Sequence, residues 1–269
     1  MGTPIPGEAV ARDGARLVYG LSGNGPARIA LTHSLAMDGS FWMPVADRLA
    51  DVATVLTWDC RGHGASEKSG GPYTVELFAD DLAAIFAEIG WDKAIIAGAS
   101  MGGCVTLAFA GRHADKVSGV GLFDTTAWYG PDAPQQWAER AEKAVKGGLE
   151  ALVAFQQTRW FSEAFRAANP DIVQESVEVF LRNDVQAYSE SCRMLGAADL
   201  RSAVAGIEVP TRIAVGEEDY ATPPAMAEAL HQGIAGSTFK IIPGGRHLTP
   251  LEVPDVIAAE LRQLIEATR

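Results

Sequence analysis

The sequence predicts an α/β fold with a mostly parallel central sheet, helices on both faces and a helical cap insertion. Three features carry that expectation. Short apolar runs rich in β-branched residues recur with turn residues between them, as strands buried on both faces require. Segments of helical period separate the runs, and such alternation implies a parallel sheet covered on both sides. From about 125 to 204 the strand pattern lapses into helix-like sequence rich in Glu, Ala and Gln, which reads as an insertion between two strands.

In chain order the expected strands are Ala15–Tyr19, Arg28–Leu31, Val55–Trp58, Lys93–Ala97, Val117–Phe123, Arg212–Val215 and Phe239–Ile242. Helices are expected over Ser40–Leu49, where Trp42, Val45 and Leu49 share a face, and over Thr74–Ile89, through Leu77, Leu82, Ile85, Phe86 and Ile89. A third, Val256–Ile265, closes the chain. The turn-rich YGPDAP at Tyr129–Pro134 opens the cap. The chain thus divides into a core of residues 1–124 and 205–269 and a cap of residues 125–204, with no internal repeat or low-complexity tract.

A length of 269 residues suits one core with an insertion. The 48% hydrophobic and 21% charged content is that of a globular protein, and no window approaches the apolar length of a bilayer span, so no membrane partner is expected. The opening MGTPIPGEAVARDGARL has no basic segment before an apolar one, so no secretory signal is expected and the cytoplasm is the default location. Pro6 breaks the pattern that myristoylation of Gly2 would need. A net charge of -12 repels polyanions and argues against a nucleic-acid partner. Cys60, Cys104 and Cys192 are odd in number, far apart and without a CxxC pair, which favours reduced structural thiols over a disulfide framework or a zinc site.

The most informative stretch is IIAGASMGGCVTLAFA, residues 95–110. Its glycine-rich turn follows a strand and opens a helix, a setting that suits phosphate binding or a nucleophile. A phosphate-binding Walker loop needs GxxxxGK[ST], and no Lys follows Gly102 or Gly103; a dinucleotide fingerprint needs GxGxxG, and position 100 is Ser. What matches is G-x-S-x-G, in which small residues flank a serine held in a strained strand-to-helix turn. The helix N-terminus beside it favours developing negative charge, so Ser100 is the candidate nucleophile of an acyl transfer.

A serine hydroxyl needs a base at neutral pH. Of the five histidines, His113 and His231 read as surface residues and His63, in DCRGHGAS, as a brace for a turn. His247 lies in PGGRHLTPLEVP, on a loop after the last expected strand, from where it can reach back over the sheet. The orienting acid is expected between serine and histidine, and VGEEDYATPP supplies Asp219, with Glu217 and Glu218 as rivals and Asp124 in LFDTT as a second possible acid. A metal site over Glu217–Asp219 lacks histidine partners nearby. The turn His33–Ala36 can aim an amide at an oxyanion, which assigns the backbone N–H groups of Leu35 and Met101 as its two donors.

Taken in order, THSLAMD, DCRGHGAS, GASMGG, GEEDYATPP and GGRHLTPLEVP resemble the α/β-hydrolase family over nearly the whole chain. Within it, SLAMDGSFW, WDCRGHGAS, GPYTVELFADDL, TRWFSEAF and AYSESCRMLGAADLR look most like the 3-oxoadipate enol-lactonases of aromatic catabolism. The resemblance implies a hydrolase of small carboxylic esters or lactones that uses no cofactor and no metal. A Ser rather than an Asp nucleophile argues against haloalkane dehalogenase and epoxide hydrolase chemistry. A substrate of the enol-lactone kind carries a carboxylate, for which Arg159 and Arg193 are the candidate cations. Trp128, Trp137, Trp160, Phe161 and Tyr188 supply apolar area, and Trp160 is the one expected to contact substrate. A general carboxylesterase, a hydrolase of C–C bonds in vinylogous diketones, a perhydrolase and a non-catalytic ligand receptor are the alternatives.

Overall fold

A computed structural model describes residues 3–269. Its strands are β1 (Ile5–Val10), β2 (Arg16–Ser22), β3 (Ala27–Thr32), β4 (Ala53–Trp58), β5 (Ala94–Ala99), β6 (Val117–Phe123), β7 (Thr211–Gly216) and β8 (Thr238–Ile242). They form one sheet in the order β1-β2-β4-β3-β5-β6-β7-β8, parallel throughout except that β2 runs against both of its neighbours. Each expected strand is present with its ends moved by a few residues at most. The central strands are buried on both faces, β5 at every position. The edges are not: β8 exposes most of its residues, and β1 buries only Ala9. Strand β1 was not expected from the sequence, because IPGEAV has no apolar run and carries a Pro that only an edge strand tolerates.

The helices are α1 (Met43–Asp47), α2 (Val75–Ile89), α3 (Met101–Arg112), α4 (Ala133–Gly147), α5 (Val153–Trp160), α6 (Glu163–Ala168), α7 (Pro170–Leu181), α8 (Val185–Ala197), α9 (Arg201–Val204), α10 (Pro224–Gly233), α11 (Thr249–Glu252) and α12 (Pro254–Ala267). Helix α3 packs on β3, β5, β6 and α2, while α12 packs on β6, β7 and α1. The single helix expected over Ser40–Leu49 is instead a 3₁₀ turn, Gly39–Trp42, followed by the short α1. Pro44 sits in the first turn of α1, where its missing N–H costs nothing but cannot continue a helix arriving from Ser40. Helices α4 to α9 all lie between β6 and β7, and the longest of them, α4 and α8, pack closely together. Phe180 joins two of their aromatic contacts, with Trp160 at 5.4 Å and Tyr188 at 5.7 Å between ring centroids. Among the described residues no helix is long and apolar enough to cross a membrane.

The loop after β4 braces itself internally. Buried Arg61 reaches Asp81 on α2 with two bonds of 2.8 and 2.6 Å and Asp13 with two more of 2.6 and 3.1 Å. The His63 ring sits with Nδ1 3.0 Å from the Arg61 carbonyl oxygen, 5.1 Å from the His33 ring. Burial first, and the nearby His33 second, hold the His63 pKa down to about 3. Above pH ~6.5, the ordinary histidine value, His63 is neutral both folded and unfolded, and its contribution is complete. Below that, the unfolded chain takes up a proton that the folded chain refuses until pH falls to about 3. Stability should therefore decline by up to about 5 kcal/mol over that window through this residue. Urea unfolding of wild type and His63→Asn at pH 7, 5.5 and 4.5 checks this, with the variant expected to lose less stability as the pH falls. Parallel pH dependences would show that His63 does not drive the acid limb.

Candidate active site

Strand β5 ends at Ala99 and α3 begins at Met101, so Ser100 alone makes the turn, with φ 55° and ψ -118°. A non-glycine residue there is strained by about 1–3 kcal/mol and persists only where its surroundings over-determine it. They do so here. The Ser100 N–H donates to the Phe123 carbonyl at 2.9 Å, and the Ser100 carbonyl accepts from the Thr125 hydroxyl at 2.7 Å and the Gly103 N–H at 2.9 Å. The flanking glycines are required by close approach. A Cβ on Gly98 would lie 2.1 Å from the Gly102 carbonyl oxygen, and one on Gly102 would lie 2.1 Å from the Thr32 carbonyl oxygen at the end of β3. Any side chain at either position would push β3, β5 and α3 apart.

The Ser100 Oγ is 2.9 Å from His247 Nε2, and His247 Nδ1 is 2.7 Å from Asp219 Oδ2. All three side chains are buried, with Ser100 6%, His247 5% and Asp219 2% exposed. Asp219 follows β7, and His247 lies in the loop between β8 and α11, so three separate crossovers of the sheet converge on this chain of hydrogen bonds. Asp219 Oδ1 accepts from the N–H groups of Ala221 at 2.7 Å and Thr222 at 3.0 Å, and Oδ2 accepts from the Thr222 hydroxyl at 2.8 Å. Burial acts to raise the Asp219 pKa, but the attraction of His247 and these donors outweighs it and leaves the carboxyl below its usual range. The bond to Nδ1 places the proton of a neutral His247 on that nitrogen, leaving Nε2 free to accept from Ser100.

The other candidate acids lie elsewhere. Glu217 accepts from the Gly244 N–H at 3.0 Å, and Glu218 pairs with Arg246 at 3.2 Å. Asp124 does not touch His247. It accepts from the Gly216 N–H at 3.1 Å and from the N–H and hydroxyl of Thr249 at 3.0 and 2.6 Å, tying the ends of β6 and β7 to the residue two after His247. Burial, then the charge of Asp219, pushes its carboxyl well above the ordinary range. Neither His113 nor His231 is at the site: both are half-buried, His113 against Asp80 at 2.8 Å and His231 against Ser237 at 2.8 Å.

Leu35 lies in the turn after β3, and Met101 is the first residue of α3. Neither backbone N–H has an acceptor among the described residues. The turn is held by His33, whose Nδ1 is 2.8 Å from the Ser34 carbonyl oxygen while Nε2 accepts from the Cys60 N–H at 3.0 Å. Burial lowers the His33 pKa, so the ring stays in the neutral form that this donor–acceptor pair needs.

Trp160 is buried, edge-on to Phe161 and Phe180, and its carbonyl accepts from the Leu248 N–H at 3.0 Å, beside His247. Arg193 is occupied at the surface by Glu190 at 3.0 Å and Ser189 at 2.7 Å. Arg159 is half-buried and makes no hydrogen bond to the described residues. Sequence reasoning missed one polar residue here, Thr222, although an Asp followed three residues later by Thr is a local turn pattern.

A family model described as the α/β hydrolase family matches residues 29–260. The chain is 32% identical over 248 residues to 3-oxoadipate enol-lactonase 1 of Acinetobacter baylyi, spanning 91% of both chains. It is 28% identical to 3-oxoadipate enol-lactonase 2 of the same organism over 85% of this chain and 84% of that one. Among solved structures, an enol-lactonase from Burkholderia xenovorans LB400 superposes with a TM-score of 0.92 at 33% identity, covering 97% of this chain and 100% of that one. A thermophilic esterase from Thermogutta terrifontis does so with a TM-score of 0.91 at 26% identity, covering 99% of each. With the serine turn, the sheet order and the match over residues 29–260 all in accord, this chain belongs to the α/β hydrolase family.

Proposed function

We propose that the protein is a serine hydrolase that opens a small lactone, an enol-lactone of the kind named for its relatives. The observation that carries this reading is the unbroken chain from Ser100 Oγ through His247 to Asp219, at 2.9 and 2.7 Å. Ser100 Oγ attacks the lactone carbonyl carbon while His247 Nε2 takes the hydroxyl proton, and Asp219 stabilises the imidazolium. The carbonyl oxygen becomes an oxyanion held by the Leu35 and Met101 N–H groups. Its collapse breaks the ring C–O bond. The departing enolate oxygen takes the proton from His247, and the freed enol tautomerises to the ketone. Water, deprotonated by His247, then attacks the acyl-serine; collapse of the second oxyanion breaks the acyl C–O bond to Ser100, whose Oγ takes the proton back from His247, and the freed acid ionises to a carboxylate. In this reading Arg159 and Trp160 are the substrate-side residues, and every step uses side chains and backbone of this chain.

The three cysteines, all buried free thiols, suit a reducing compartment, and a cytoplasmic location belongs to the same reading. Loss of 3-oxoadipate enol-lactone absorbance, measured beside p-nitrophenyl acetate cleavage, tests the substrate. Lactone turnover with kcat/KM of about 10⁴ M⁻¹s⁻¹ or more, well above that of the ester, is expected. The likeness to a thermophilic esterase favours a second reading, a general carboxylesterase. Ester cleavage without lactone turnover would select it.

A further inference from the structure

One side chain of the inserted helices reaches the turn that carries the Leu35 N–H. Residues Ser34 to Met37 form a β-turn in which the Met37 N–H donates to the Ser34 carbonyl at 3.1 Å, and Ala36, its third residue, has φ 60°. A positive φ at that position alone marks a type II turn, which favours Gly or Asn. Alanine is strained there, so groups outside the turn must hold it. The buried Ala36 carbonyl needs a donor, and its only one among the described residues is Asn183 Nδ2 at 2.8 Å, 147 residues away.

Asn183 lies in the three-residue link between α7 and α8, and both sides of that link are fixed. Its own N–H donates to the Phe180 carbonyl at 3.3 Å, and the next residue, Asp184, caps α8 by accepting from the Ala187 N–H at 2.8 Å. Nδ2 also faces the Val179 and Phe180 carbonyl oxygens, at 3.0 and 3.1 Å, which assigns the amide nitrogen rather than the oxygen to this side. Oδ1 is left buried with no partner among the described residues. An unpaired buried acceptor costs stability, so this side chain is of use for its donors.

Planar peptides carry its effect to the reacting atoms. The Ala36 carbonyl and the Met37 N–H belong to one peptide unit, and the Ser34 carbonyl and the Leu35 N–H belong to another. Asn183 fixes the plane of the first unit, whose N–H fixes the second, whose own N–H is the oxyanion donor. Hydrogen bonds in series polarise one another, so the Leu35 N–H gains donor strength as well as aim. From the core side His33 Nδ1, 2.8 Å from the Ser34 carbonyl oxygen, holds the same unit.

We propose that Asn183 is a positioning residue of the oxyanion hole: from the link between α7 and α8 it sets the aim of the Leu35 N–H through two peptide units. The inference rests on the serine hydrolase reading and on its assignment of Leu35 as a donor.

Asn183→Ser tests it. A serine hydroxyl has one proton to give and can bond the Val179 carbonyl four residues back, but it cannot serve Ala36 as well. The backbone bonds that close α7 are untouched, so the variant should fold. With p-nitrophenyl acetate, kcat is expected to fall by about 10- to 30-fold while KM changes by less than about threefold, as for a donor misaimed rather than removed. Affinity for a small alkyl trifluoromethyl ketone should fall by the same factor as kcat/KM. Ser100 Oγ adds to the carbonyl carbon of that compound, the hydroxyl proton passes to His247, and the ketone oxygen becomes an oxyanion in the same hole. Ala36→Gly removes the strain at φ 60° and should shrink the loss caused by Asn183→Ser to under about threefold. Arg182→Ala, at the exposed neighbour whose only carboxylate partner is Asp38 at 3.6 Å, should alter kcat by less than about twofold. Wild-type rates in Asn183→Ser, or a rise in KM alone, would overturn the inference and leave the hydrolase reading intact. So would an equal loss in Arg182→Ala, or a loss that Ala36→Gly does not reduce. Undiminished ester cleavage by Ser100→Ala would instead overturn the hydrolase reading and this inference with it.

Discussion

Replacing Ser100 with Ala should lower kcat by about 10⁴- to 10⁶-fold while the protein keeps its fold. The magnitude follows from how the three side chains work as one unit, so that loss of the nucleophile alone removes nearly all that the unit supplies. The fold should survive because the Ser100 side chain bonds only to His247, while its backbone makes the contacts that hold the turn. Alanine tolerates φ 55° no worse than serine does, so the strain at the turn is unchanged. Steady-state rates, together with mass analysis after exposure to a serine-reactive phosphonate, check both halves of the expectation. Wild type should gain one adduct, on Ser100, and the variant none. A variant that retains more than a tenth of wild-type activity would remove Ser100 from the chemistry and with it the proposed mechanism.

What the sequence revealed and what it hid have physical reasons. Ser100 was legible because its turn requires glycine two residues to either side: a Cβ at Gly98 or Gly102 would meet backbone at 2.1 Å, so the fold leaves glycines at fixed spacing. Asp219 and His247 were legible from order, since each follows an apolar run that reads as a strand, buried in β7 and largely exposed in β8. Strand β1 was hidden because it lies at the sheet edge and buries only Ala9, so no apolar run marks it. The break between the 3₁₀ turn and α1 was visible only as Pro44. In the helices between β6 and β7 periodicity shows which face of each helix is apolar, yet not which polar residue turns inward. Arg140 and Arg193 look alike in sequence. Only the packing of α4 on α8 puts the first against Tyr188 and leaves the second at the surface with Glu190.

Asp219→Asn should cost about 10⁴-fold in kcat with little loss of stability, and the hydrogen bonds around the carboxylate show why. Oδ1 accepts two backbone N–H groups, from Ala221 and Thr222, so the amide oxygen of an asparagine must take that place. The amide nitrogen then stands at the Oδ2 position, 2.7 Å from His247 Nδ1, where it can only donate. Nδ1 becomes the acceptor and the imidazole proton moves to Nε2, which faces Ser100 with a hydrogen instead of a lone pair. The geometry is kept and the base is lost. The variant also removes the negative charge that stabilises the imidazolium. Asp124→Asn is the matching control. Burial, then the charge of Asp219, raises the Asp124 pKa, and the carboxyl reaches His247 only through Thr249; because each of its oxygens accepts a backbone N–H, from Gly216 or from Thr249, the amide should cost stability more than catalysis. A loss of under about tenfold is expected there, as for a residue that positions a loop. Measured side by side, the two substitutions decide which acid orients the histidine: a larger loss at Asp124 than at Asp219 would reverse the assignment.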